Sequence, residues 1–87
     1  MKIEKFEVRR SSPDSYKILV EDEQWRWILQ FVLERDKDKI EKLAYLNSSK
    51  KSYQHFLSLP IVKDVTLLNR FKVWVDLLFT LYPEGGQ

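Results

Sequence analysis

Cysteine is absent from this 87-residue chain, histidine occurs once, and the only two glycines stand at positions 85 and 86. Without cysteine there is no disulfide framework and no thiolate metal site, and a single histidine falls short of the usual zinc ligand set. No glycine-rich phosphate loop, Walker pattern or Gly-x-Ser-x-Gly elbow is present. Net charge is scarce as well. Fifteen basic and 13 acidic residues give +2, with ten of each sign in residues 1–44 and five basic against three acidic in residues 45–87. Such a balance steers polyanions weakly, and neither half has the Lys/Arg density of a dedicated DNA-binding domain. No apolar run approaches the ~18 residues of a membrane helix. The start, Met1 to Val8, interleaves charged and apolar residues and never becomes a signal-peptide core. These absences set the expectation of a cytoplasmic protein with no cofactor, no metal and no membrane insertion.

What is present is apolar pattern. A hydrophobic content of 44% in this length supports one core, and neither an internal repeat nor a low-complexity linker divides the chain. The expected organisation is a single α+β domain over residues 1–82 with a flexible tail over 83–87. Residues 2–10 read as a strand, with Phe6 and Val8 on one side and Glu7 and Arg9 on the other. Ser11 to Ser15 concentrates turn formers around Pro13 and Asp14, and residues 16–22 place Tyr16, Ile18 and Val20 on a common face. A two-stranded hairpin is marginal in water and needs further cover.

Residues 25–34 provide it. Trp25, Trp27, Leu29, Phe31 and Leu33 alternate with Arg26, Gln30 and Glu34, which predicts a third strand; the competing reading is a helix with the stripe Trp25, Ile28, Leu29, Val32 and Leu33. Next comes the charged stretch Glu34 to Lys39, expected to be a solvated turn. Asp38 and Glu41 have capping-box spacing, and Ile40, Leu43, Ala44 and Asn47 mark the face of a short helix, with a strand over 40–46 as the alternative. Ser52 to Leu59 reads as a short helical segment ending near Pro60. From Thr66 onward, Leu67, Leu68, Phe71, Trp74, Val75, Leu78 and Tyr82 recur at helical spacing, with Asp64 as the cap. Val73, Leu77, Phe79 and Leu81 widen that apolar arc beyond what one sheet face covers. The predicted architecture is a three-stranded antiparallel sheet followed by two or three helices, the long C-terminal helix packed on the sheet.

The chemical signals are thin. His55 has no local carboxylate and no nucleophile beside it, so catalysis is not expected. The carboxylates Asp36, Asp38 and Glu41 lack calcium-loop spacing and are neutralised by Lys37, Lys39 and Lys42, which reads as an alternating-sign cap rather than a metal site. Trp27 and Trp74 read as core, whereas Trp25, at the strand entrance beside Arg26, reads as partly exposed. The expected function is that of a small protein–protein interaction module, an accessory subunit or a homodimeric adaptor. It would use Trp25 as anchor and Arg26, Lys50 and Lys51 as rim. The alternative is RNA or single-stranded DNA binding across Arg9, Arg10, Tyr16, Lys50, Lys51 and Tyr53, where basic side chains would meet phosphates and aromatic rings would stack on bases.

Overall fold

A computed structural model describes residues 3–34, 39–47 and 49–81. Four strands are followed by two helices: β1 (Lys5–Ser12), β2 (Ser15–Glu21), β3 (Arg26–Glu34), β4 (Lys39–Asn47), α1 (Lys50–Leu57) and α2 (Val65–Leu81). The strands form one antiparallel meander in the order β1-β2-β3-β4. Pro13 and Asp14 turn the chain between β1 and β2, where proline fixes φ and the aspartate stabilises a local bend. The alternation expected over residues 25–34 is realised as β3, whose Ile18↔Leu29 and Tyr16↔Phe31 pairings with β2 set the register.

One expectation is overturned. Residues 39–47 form a fourth strand rather than a short helix, pairing with β3 through Ile28↔Leu46, Gln30↔Ala44 and Val32↔Lys42. The sheet therefore has four strands, not three. The physical reason is non-local. β3 is buried on both faces, with Trp27, Ile28 and Leu29 each at 7% exposure or less, and a strand that deep must have the main-chain groups on its second edge paired. The local helical spacing of Ile40, Leu43 and Ala44 is outweighed by that requirement. The charged turn at 35–38 and the tail at 83–87 lie outside the described residues.

The two faces of the sheet carry different layers. On the first, Val8, Tyr16, Ile18, Val20, Trp27, Leu29 and Phe31 pack against Phe71, Val75 and Phe79 of α2. Phe71 sits 4.9 Å from the Tyr16 ring and 5.2 Å from Phe31, and Phe79 sits 5.2 Å from Trp27, all tilted. On the second face Leu19 and Ile28 receive Phe56 of α1, with Tyr53 beside it. Ser49 caps α1 by accepting from the Ser52 N–H, and Asp64 caps α2 by accepting from the Leu67 N–H at 3.1 Å.

Between the helices the chain passes round the β1 edge. The Arg10 N–H donates to the Pro60 carbonyl and the Val62 N–H to the Val8 carbonyl, each at 2.9 Å, which makes Arg9↔Ile61 an isolated bridge. Proline suits this position because a residue on a sheet edge need not donate to a ladder. The segment moves the chain from the α1 face to the α2 face and covers the edge of β1 at Val8 to Arg10.

Candidate functional site

The β2–β3 turn presents the first group of site residues. Asp22 accepts through Oδ1 from the N–H groups of Gln24 and Trp25, at 2.8 and 2.6 Å, and its own N–H donates to the Trp25 carbonyl at 3.0 Å. The backbone of Trp25 is thus fixed while its side chain stays 62% exposed. Arg26 follows at the start of β3, on the face that carries α1. Its Nε donates to Glu21 Oε1 across the Glu21↔Arg26 pair, and its guanidinium lies 4.0 Å over the Tyr53 ring. Tyr53 belongs to the first turn of α1, the helix that Lys50 and Lys51 open, and both lysines are exposed. The structure therefore links Arg26 to the lysine-bearing turn through an aromatic ring, a contact in which the ring quadrupole attracts the cation.

The two arginines of β1 do not join this group in one patch. Alternation along the strand puts them on opposite faces. Arg10 lies 5.1 Å over the Tyr16 ring on the α2 side. Arg9 stands on the α1 side, where Nη1 donates to the carbonyls of Leu57 and Leu59 at 3.1 and 2.9 Å. Its guanidinium is 5.3 Å over Phe56, and Nη2 is 3.4 Å from Glu7 Oε1. Carbonyls at a helix C-terminus lack intrahelical donors, so Arg9 closes the end of α1. Tyr16 is 4% exposed and packed against Phe71, so its ring has no open face for a nucleobase.

The exposed face of α2 differs in membership from the expected surplus of Val73, Leu77, Phe79 and Leu81, because Phe79 is 8% exposed and packs in the core. Trp74, expected in the core, is 40% exposed, and it is joined by Val73 at 66% and Leu77 at 47%. The spacing that fits Trp74 to the apolar stripe places it at its flank, about 100° from Val75 on the helical wheel, where the sheet contact is taken by Phe71, Val75 and Phe79. The surplus of Val73 and Leu77 was legible; the position of Trp74 at the margin was not. His55 is exposed on α1. Among the described residues no group of three His, Cys, Asp or Glu side chains is placed to hold a metal ion, and no helix is long and apolar enough to cross a membrane. No family model, curated protein or solved structure matches the chain.

Proposed function

We propose that this is a non-catalytic protein–protein interaction module of the cytoplasm, acting as an accessory subunit or homodimeric adaptor. The observation that carries the reading is the outer face of α2, where Val73, Trp74 and Leu77 stand exposed side by side. Single exposed apolar residues are ordinary, but neighbouring ones on a helix that already fills a core offer surface whose burial favours association. Trp25 and Arg26, with Lys50 and Lys51, supply a second, polar-rimmed contact at the hairpin end, Trp25 being an aromatic anchor on a fixed turn. The nucleic-acid alternative is weakened by the burial of Tyr16 and by the carbonyl contacts of Arg9; Lys50, Lys51 and Tyr53 remain for it.

The test is association measured for the parent, for the Val73→Lys/Leu77→Lys variant and for Trp25→Ala, with thermal unfolding in parallel. Association lost while the melting transition stays in place supports the reading. Association that is unaffected by both variants, or that collapses steeply with modest salt as counterion release requires, would overturn it.

A further inference from the structure

The two edges of the sheet are treated differently by the chain. The β1 edge is bridged at Val8 to Arg10 by residues 60–62, whereas among the described residues nothing pairs with the outer edge of β4. Which main-chain groups this leaves free follows from alternation. In an antiparallel ladder the N–H and C=O of one residue point to the same side, and successive residues point to opposite sides. The Val8 carbonyl and Arg10 N–H point away from β2. Carried through the pairs Glu7↔Leu19, Ile18↔Leu29 and Ile28↔Leu46, the same alternation turns Ala44 and Leu46 inward to β3. The N–H and C=O groups of Leu43, Tyr45 and Asn47 are left on the outer edge.

This edge has two halves. Val32 pairs with Lys42 but Leu33 with Ile40, so Glu41 is an extra, bulged residue in β4, and the same half contains Lys39 and Lys42. Bulges and charges are the devices by which edge strands resist pairing. Leu43 to Asn47 has neither a bulge nor a charge.

We infer that Leu43–Asn47 pairs antiparallel with the same segment of a second copy of this chain, about a two-fold axis at Tyr45 and perpendicular to the sheet. The inference rests on the reading of the chain as an interaction module and names its partner. Centred there, Tyr45 faces Tyr45 of the partner subunit and Leu43 faces Asn47 of the partner subunit, so the outward groups exchange about six main-chain hydrogen bonds. The bulge and the charges of residues 39–42 fall beyond the paired stretch. An uncharged segment offers no charge code for selecting a foreign strand, and a net charge of only +2 per chain sets up little repulsion between copies.

The exposed flank of α2 independently points to the same side of the molecule. Lys72 and Asp76 line a cleft with Ile3 and Phe6 at β1. Trp74 lies about 200° round the helix from Lys72, on the flank turned toward β3 and β4. The two-fold axis leaves the Trp74 flanks of both copies on one side of the continuous sheet, facing one another across the β4–β4 seam.

The experiment is light scattering of the full chain at tens of micromolar, combined with amide hydrogen exchange resolved by residue at high and low protein concentration. The expected result is a mass near twice the 10.5 kDa of the chain, with the amides of Leu43, Tyr45 and Asn47 protected only at high concentration and those of Ala44 and Leu46 at both. Tyr45→Pro, which removes an outward N–H and leaves the inward ladder groups in place, is expected to be monomeric. A monomeric parent overturns the inference; if another protein then protects the same three amides, the interaction-module reading survives without self-pairing. A dimer whose three amides exchange freely also overturns it, and assigns self-association to a different surface.

Discussion

The two faces of the sheet are built on different physics. On the α2 face aromatic rings meet aromatic rings, with Phe71 wedged between Tyr16 and Phe31 and Phe79 against Trp27. On the α1 face one buried ring, Phe56, rests on Leu19 and Ile28, and the surroundings are finished by guanidinium groups, Arg9 over Phe56 and Arg26 over Tyr53. An eight-residue helix such as α1 is too short to be stable from its own hydrogen bonds. It is held by one apolar anchor and by an arginine reaching its last carbonyls. A sheet of this size is thus stabilised on one side by area and on the other by a few directional contacts.

Substitutions sharpen that contrast. Phe71→Ala removes a fully buried ring from the centre of the α2 face and is expected to cost about 4 to 5 kcal/mol, read as a large loss in chemical denaturation midpoint or as failure to fold. Phe56→Ala empties the only buried α1 position at a cost of about 3 kcal/mol. Because α1 depends on that ring, helical circular dichroism is expected to fall before the sheet unfolds. A Phe56→Ala effect as large as that of Phe71→Ala, with a single cooperative loss of all signals, would break the comparison.

Arg9→Ala leaves the Leu57 and Leu59 carbonyls without their donor and is expected to cost about 1 to 2 kcal/mol, with faster amide exchange confined to α1 and to residues 60–62. Arg9→Lys is expected to recover only part of this, since an ammonium lacks the planar fork that reaches two carbonyls and covers a ring. Arg26→Ala removes an exposed ion pair and a ring contact, together worth under about 1 kcal/mol, and its thermal shift is expected to shrink further in high salt. The smallest effect is expected from Val73→Lys/Leu77→Lys on the solvent side of α2, within about 0.5 kcal/mol of the parent in unfolding.

Local pattern made much of this legible. The hairpin, the strand at 26–34 and the Asp64-capped helix α2 each follow from periodicity and capping chemistry read within a single window. Residues 39–47 did not, because Ile40, Leu43 and Ala44 satisfy a helical stripe and the competing term, the unpaired second edge of β3, is carried by a different segment, Leu33, Phe31 and Gln30 standing opposite them in the ladder. Trp74 was misplaced for a related reason. Helical spacing fixes its angle on α2, but how far down that flank the sheet reaches depends on how α2 lies over β2 and β3. The site residues divide in the same way. The exposure of Trp25 was readable, whereas Lys50 and Lys51, expected just ahead of a helix starting at Ser52, form the first turn of α1, and the adjacent arginines Arg9 and Arg10 could not be assigned to separate roles until β1 had neighbours on both faces.

By itself the sequence determined the class of fold, the aromatic face and the terminal helix, since alternation and helical spacing are properties of neighbouring residues and need no partner. The tertiary structure alone decided that β3 has a strand on each side, that Arg9 closes α1, and that residues 60–62 bridge to the β1 edge of the sheet while, among the described residues, nothing pairs with the β4 edge. Those outcomes depend on polar groups finding partners in other segments of the chain, and the amino-acid pattern that encodes side-chain burial carries little information about which backbone edge meets which.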